Sequence, residues 1–323
     1  MRLLVGRMLC AMLAFACWSP AHAQKYPERP VRLIVVFPPG GAVDIVGRLL
    51  GQKLGESLGQ QFVIDNRAGG GQIIGTELAA KAPADGYTLV LASVTHAINP
   101  ALHPKLPYDS VADFAPITLV AESPLVIFVR PGLGINSVKD LIASAKAKPG
   151  SINYGSSGSG SGGHLAVELL KYVSGIDVVH IPYKGAGPAL TALLAGEVQL
   201  MCTSPLAGRP YVQAGRLLAL AVTGRRRYQA MPELPTVAEA AGLPGFEVTL
   251  WYPLMAPAAT PPAIINKLYV ESIKALKSPD IVAQLAAQGV EVVGSTPQEL
   301  AAYMKSETAK WSRLIRDAKI KAN

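Results

Sequence analysis

The 323-residue chain carries 30 Lys and Arg against 22 Asp and Glu, a formal net charge of +8. No basic run exceeds Arg225-Arg226-Arg227, and aromatics make up only 6% of the chain. That excludes the dense basic stripe with stacking aromatics by which nucleic-acid binders are recognised, while a mild positive field suits an anionic small ligand or an ordinary surface.

Arg2 and Arg7 precede an apolar run, Met8 to Trp18, that Ser19-Pro20 breaks. Ala21-His22-Ala23 has the small-x-small pattern of a cleavage site. Residues 1–23 therefore read as a secretory signal peptide, too short to be a bilayer span. The alternatives are an N-terminal anchor helix and a lipoprotein at Cys17, where Ala16 suits lipidation and Phe15 and Ala14 do not. Cleavage would remove two arginines and no acid, taking the charge from +8 to +6. Roughly 300 residues would remain, enough for two cores. Of three cysteines only Cys202 would survive, so the lobes hold without an intrachain disulfide. Cys202 is expected to be buried and inert. No other stretch approaches a transmembrane length.

Val31 to Phe37 is a β-rich apolar run ending in Pro38-Pro39-Gly40-Gly41. Ile45, Val46, Leu49, Leu50, Leu54 and Leu58 then recur at helical spacing up to Gly59. Gln61 to Asp65 is a second strand, Gly69-Gly70-Gly71 leads into a helix through Ala80, and Thr88 to Ala92 is a third strand. This βαβαβ order predicts a doubly wound, mostly parallel sheet. After Glu122 a second unit begins. Strands are expected at 125–129, 152–154, 178–181, 198–202 and 217–222, with helices from Ser137, from about His164 and over 189–194. Ser137 to Asp140 is a capping-box start. The last third is helical: Thr260-Pro261-Pro262 opens one helix. The box Thr296 to Glu299 opens another, whose stripe of Leu300, Met304, Trp311, Leu314 and Ile315 faces a core. Segments 115–124 and 245–257 read as crossings between the units, and no internal repeat is evident.

Three glycine-rich loops stand between a strand and a helix: Pro38 to Gly41, Gly69 to Gly71, and Gly155 to Gly163. A helix N-terminus leaves backbone N–H groups unpaired and partly positive, so it binds anions without Lys or Arg. Glycine lets the ligand approach the backbone, and ligands of open α/β sheets sit at the carboxyl ends of the strands. The third loop also contains a literal G-x-G-x-x-G at Gly158, Gly160 and Gly163, with Asp177 further on. A flexible linker, a dinucleotide fingerprint and an anion-binding loop all fit it. The close bracketing by a strand and a helix argues against the linker, and a Gly/Ser-rich tract matches the fingerprint easily by chance. A P-loop, a zinc-protease helix, a C-x-x-C pair and a nucleophile elbow are absent from the sequence. His96, His103, His164 and His180 are not spaced as a metal pair, and Ser161 with His164 is a nucleophile–base pair by sequence proximity alone.

In combination and order, several segments resemble the Bug family, the extracytoplasmic receptors of tripartite tricarboxylate transporters. They are Phe37 to Gly41 with Asp44 and Arg48; Asn66-Arg67 with Gly69 to Gly75; Asp85 to Leu89; and Leu106 to Asp109. Further on come Asp113 to Pro116; Asn153 to Ser156 with His164-Leu165; Tyr183-Lys184-Gly185; Ala219 to Thr223; Leu243 to Phe246; and Trp251. The resemblance spans nearly the whole mature chain. It implies an α/β periplasmic-binding-protein fold (type II-like) of two doubly wound lobes joined by crossing strands, closing like a flytrap on a small carboxylate. The lobes would be 24–122 plus 250–323, and 123–249. The first wall would be Pro39, Gly40, Gly41, Ala42, Val43 and Asp44 with Ser93, Thr95 and His96. The second would be Ser156, Ser157, Gly158, Ser159, Gly160, Ser161 and His164, with Tyr183, Lys184, Gly185, Thr203 and Ser204. Asp44 can also act simply on the helix dipole.

Three positions depart from the family pattern. Ala42-Val43 stand where a hydroxyl residue or glycine is frequent. No aspartate stands near Thr203, which argues against an amino-acid ligand and leaves dicarboxylates, tricarboxylates and aromatic acids. Pro253 replaces a common glycine after Trp251. The expectation is thus a monomeric periplasmic receptor delivering a carboxylate to a membrane permease. It carries no catalytic residue, metal or cofactor, and its hinge lies near 120–126 and 245–252. A sensory receptor without a permease uses the same clamp; a secreted hydrolase would need a nucleophile elbow, which the sequence lacks, and a dinucleotide-dependent dehydrogenase would rest on the Gly/Ser tract alone.

Overall fold

The computed structural model describes residues 26–320, so the segment expected to be a signal peptide lies outside the described residues. The chain begins with β1 (Val31–Val35), α1 (Ala42–Leu58), β2 (Phe62–Asn66), a 3-10 turn (Gly70–Gln72), α2 (Ile73–Ala80), β3 (Thr88–Leu91), α3 (Thr95–Leu102) and the long strand β4 (Phe114–Pro124). A second set follows: β5 (Val126–Val129), α4 (Val138–Ala147), β6 (Asn153–Ser156), α5 (Gly162–Ser174), β7 (Val179–Pro182), α6 (Ala186–Ala195), β8 (Leu200–Thr203), α7 (Pro205–Gln213), β9 (Leu218–Val222) and α8 (Val237–Ala241). The chain then returns through β10 (Thr249–Pro257) to α9 (Pro262–Leu276), α10 (Pro279–Ala287), β11 (Glu291–Val292) and α11 (Pro297–Asp317).

These strands form two sheets, ordered β2-β1-β3-β10-β4-β11 and β7-β6-β8-β5-β9. In each, the three strands of the βαβαβ run pair in parallel. An antiparallel strand then joins the third, β10 beside β3 and β5 beside β8. The parallel sheet expected from the sequence is therefore three strands of each sheet, of six in the first and of five in the second; the remaining strands add an antiparallel part. The two lobes share one strand order, a repeat of topology that the residues do not repeat.

Alternation explains why the strands are apolar throughout. Leu33 and Val35 of β1 face the core under Val46, Leu50 and Leu54 of α1. Ile34 faces the opposite core with Val90, Ile98 and Trp311. Both faces are covered, as parallel strands require. Helix α1 ends at Gly59 in the left-handed region, φ 70°. It starts at Ala42, with Val43 already in the core, and Asp44 in its first turn accepts a hydrogen bond from the Gly40 N–H at 2.8 Å. Trp311 is fully buried and donates to Glu307 at 2.9 Å, the core role its spacing predicted. Helices α3, α7 and α8 were not anticipated; α3 and α7 carry prolines, Pro100 and Pro210, inside the helix.

The strands β4 and β10 pair from Pro124–Thr249 to Phe114–Pro257. Pro253 follows a register shift after Tyr252, a place where a residue without an N–H is tolerated. Thr223, fully buried, ties both crossings together. Its N–H donates to Leu125 O and its carbonyl accepts from Val248 N, both at 2.8 Å. Its hydroxyl accepts from Leu125 N at 2.9 Å and donates to Val248 O at 2.6 Å. No helix among the described residues is long and apolar enough to cross a membrane.

Candidate ligand-binding site

A cavity of about 800 Å³ lies between the loop ends of the two sheets. Its first wall comes from Phe37 after β1, Gly41 to Val43 at the start of α1, Gly70 to Ile73, Ser93 to Thr95, and Asn99, Leu102 and His103. Its second wall is Ser157 to Gly162, between β6 and α5; Leu250 and Tyr252 of β10 complete it.

Four helix N-termini meet this space. The N-cap residues Gly41 of α1, Gln72 of α2, Val94 of α3 and Ser161 of α5 all line it. Each helix start is partly positive, although the first N–H groups of α3 are already paired, Thr95 N–H with Ser93 Oγ at 3.4 Å and His96 N–H with Ser93 O at 2.8 Å. No Asp, Glu, Lys or Arg side chain lines the cavity. The polarity comes instead from backbone and from hydroxyl and amide groups, among them Ser93, Thr95, Gln72 and Asn99. Such a site attracts an anion by oriented dipoles. Among the described residues, no group of three His, Cys, Asp or Glu could hold a metal ion.

Of the residues expected from the sequence, Gly41, Ala42, Val43, Ser93, Thr95, Ser157, Gly158, Ser159, Gly160 and Ser161 line the cavity. Pro39, Gly40, Asp44, His96, Ser156, His164, Tyr183, Lys184, Gly185, Thr203 and Ser204 do not. Several of these stand directly behind the walls. Asp44 is buried and accepts from Gly40 N at 2.8 Å, Arg48 Nε at 2.9 Å and Asn66 Nδ2 at 2.9 Å. Burial pushes its carboxyl up, but the bonds from Arg48, Gly40 and Asn66 and the Arg48 charge outweigh that and hold it below the usual carboxylate range. Asp44 thus shapes the Gly40-Gly41 turn. His96 is buried beneath the same lobe, with Nε2 2.7 Å from Ser110 O. Burial holds its imidazole down to about 4, against the pull of the Ser110 carbonyl and Asp109.

Behind the second wall, His164 accepts from Gly160 N–H at 3.0 Å through Nδ1 and stacks on His180 at 4.0 Å between centroids. His180 Nε2 lies 2.7 Å from Ser156 Oγ, which also bonds both the N–H and the carbonyl of Gly158. Burial, then His180, hold His164 down to about 4 despite Glu168. Two neutral rings therefore brace the loop. Gly158 and Gly160 take left-handed φ values of 127° and 77°. Gly163 does not; a Cβ there would stand 2.1 Å from the Cys202 carbonyl, so its role is close packing of α5 on β8. Cys202 itself is buried and burial pushes its thiol upward, which fits the expectation of an inert group.

The sequence reading missed Phe37, Gly70 to Ile73, Val94, Asn99, Leu102, His103, Leu250 and Tyr252 as lining residues. Gly69 to Gly71 had the right loop signature but no residue was assigned from it. Leu250 and Tyr252 flank Trp251 in a strand, so period-two alternation could have put both on one face.

The family model "Tripartite tricarboxylate transporter family receptor" matches residues 46–320. The chain belongs to this receptor family. BugT of Bordetella pertussis is 39% identical over 307 residues, 94% of each chain. The structure of Rpa4515 from R. palustris with adipate superposes with a TM-score of 0.78 at 37% identity, covering 92% of this chain and all of that one. MatC of Rhodopseudomonas palustris with bound malate gives 0.74 at 32% identity, covering 90% of this receptor and all of MatC. The two-lobed α/β receptor fold expected from the sequence is therefore the fold observed.

Proposed function

We propose that the mature protein captures a small carboxylate between its lobes in the periplasm and delivers it, as a monomer, to a membrane permease. The observation that carries this is the convergence of four helix N-termini on one cavity whose walls hold no Asp, Glu, Lys or Arg side chain. A carboxylate supplies the charge those dipoles lack. The relatives solved with adipate and with malate support the same ligand class. Secretion by removal of residues 1–23 goes with this reading, as does a division into 24–122 plus 250–323 and 123–249. The β4-to-β5 and β9-to-β10 connections, tied by Thr223, favour hinge points beside Leu125 and Val248. Ligand that touches both walls shifts the population toward the closed form, because only the closed form offers both sets of contacts.

Family membership is that of a receptor, and the site reads as a binder rather than a catalyst. The test is a thermal-shift screen of the mature protein against small dicarboxylates, tricarboxylates, aromatic acids and amino acids. A ligand at about 100 times its Kd stabilises by about 2.7 kcal/mol, a shift of several degrees. Stabilisation by carboxylates without an ammonium group is the expected result. No shift with any acid, before or after refolding to remove a carried-over solute, overturns the reading.

A further inference from the structure

Residues 69 to 72 form a run of left-handed backbone: Gly69 at φ 117°, Gly70 at 55°, Gly71 at 62° and Gln72 at 75°. Glycine takes such angles freely, whereas an L side chain there is strained. Gln72 breaks the run of glycines at the wall of the ligand cavity. Strain kept at a cavity wall points to a task for the side chain. That side chain does not hang free. Its Oε1 accepts from Ser93 Oγ at 2.9 Å, and its Nε2 donates to Thr95 Oγ1 at 2.8 Å.

The consequence lies in the hydroxyl protons. A threonine hydroxyl has one proton to donate and two acceptor sites. With Gln72 Nε2 feeding one acceptor site, the Thr95 proton remains available. The Ser93 hydroxyl faces Thr95 Oγ1 as a donor, at a long 3.3 Å, and so does not take the Thr95 proton. Ser93 meanwhile gives its own proton to the Gln72 carbonyl and is nearly buried. Thr95 and Gln72 both line the cavity, each at the start of a helix.

We propose that Gln72 is a specificity-determining residue that acts through Thr95, setting the Thr95 hydroxyl as a dedicated hydrogen-bond donor to an anionic oxygen of the ligand. The inference rests on the carboxylate-receptor reading above. It assigns Gln72 a positioning role, with Thr95 making the contact. A glycine at position 72 would suit the backbone better and leave the hydroxyl free to turn. A glutamate would reverse its sense, since a carboxylate only accepts and would draw the Thr95 proton to itself.

The experiment is calorimetric titration of adipate and of malate into the mature wild type, Gln72→Gly, Gln72→Glu, Thr95→Val, Thr95→Ser and the Gln72→Gly/Thr95→Val double variant, with a thermal melt of each. Gln72→Gly should melt no lower than wild type, yet bind about tenfold more weakly, the worth of one charge-assisted hydrogen bond. Thr95→Val should lose a similar factor and Thr95→Ser should retain affinity. Because Gln72 acts through Thr95, the double variant should lose about tenfold rather than a hundredfold. Gln72→Glu should bind most weakly. Full additivity in the double variant, or undiminished affinity in Gln72→Gly or Thr95→Val, overturns the inference while leaving the receptor reading intact. Wild type that binds neither acid overturns the receptor reading for these acids and the inference with it.

Discussion

The two lobes share a strand order but build their walls of the cavity by different means. The first lobe gathers short pieces from three loop–helix junctions, Phe37 with Gly41 to Val43, Gly70 to Ile73 and Ser93 to Thr95, together with Asn99, Leu102 and His103 further along α3 and just past its end, and three of its helices begin there. The second offers one contiguous segment, Ser157 to Gly162, ahead of a single helix. A wall assembled from separate elements is held by the core beneath it. A single loop has no such support and is braced instead by hydrogen bonds from His164 and Ser156. The first wall is tied by hydrogen bonds spread over several elements, Gly40 to Asp44, Asn99 to Gly71 and Gln72 to Thr95 among them, whereas the geometry of the second depends on few residues.

The largest effect that sharpens this contrast is at the helix–strand contacts. A Cβ on Gly163 would stand 2.1 Å from the Cys202 carbonyl, which belongs to a strand and cannot yield cheaply. A glycine of α1 that also packs on a strand, Gly47, would meet the Val35 Cγ2 at 2.9 Å, a side-chain tip. Gly163→Ala is expected to cost about 3 kcal/mol or more, and Gly47→Ala about 1 kcal/mol. Urea unfolding midpoints of the two variants measure both. Equal losses would mean that the second lobe is no more tightly bound to its strand than the first.

Legibility in the sequence follows the same line. The second wall was readable because Gly155 to Gly163 is continuous, and a strand and a helix bracket it in sequence. The parallel strands were readable because burial on both faces makes them apolar throughout. The first wall was half hidden. Gln72 joins it only through the packing of separate elements, and Asn99, Leu102 and His103 belong to or follow α3, a helix disguised by Pro100. The antiparallel part of each sheet was invisible for a related reason: β10 enters the first sheet beside β3 from more than a hundred residues away. Nor does spacing distinguish residues that line a cavity from those behind it. Asp44 sits one position beyond Val43, yet the helix turns its carboxylate back to Gly40.

The next effect compares Gly160 with Gly41, one from each wall. Gly160 has φ 77° and a Cβ there would stand 3.1 Å from Leu102 Cδ1 of the opposite lobe. Gly41 has φ −83°, which any residue adopts, and its Cβ would meet only Pro38 O at 3.9 Å. Valine at either site should weaken carboxylate binding by at least about tenfold, through bulk at a wall built for close approach. Only Gly160→Val should also lose stability, by about 1–2 kcal/mol for the left-handed backbone. Calorimetry and a thermal melt on the same samples separate the two effects. Unchanged affinity in Gly160→Val would remove that loop from the binding surface.

The smallest effect is one of pH. Each lobe keeps a buried neutral histidine behind its wall, His96 in the first and His164 in the second, both held down to about 4 from 6.5 by burial. The unfolded chain takes up these protons below about 6.5, whereas the folded protein does so only near 4. Between those values the unfolded state binds more protons, so stability rises with pH and is lost as pH falls through the window. Both histidines contribute to that loss, but their links to the ligand differ. The groups that reach His164 are His180, Glu168 and Lys171, and its Nδ1 must stay unprotonated to accept from Gly160 N–H. His96 bonds Ser110, away from either wall. At pH 4 about half of His164 would be charged, so affinity should fall about twofold beyond what the ligand's own titration causes. Asparagine at 164 can still accept from Gly160 and cannot charge. His164→Asn should therefore lose the extra twofold and His96→Gln should keep it, with the ligand's protonation common to all three proteins. If His96→Gln flattens the profile instead, the pH effect on affinity runs through the first wall and not through the Gly160 loop.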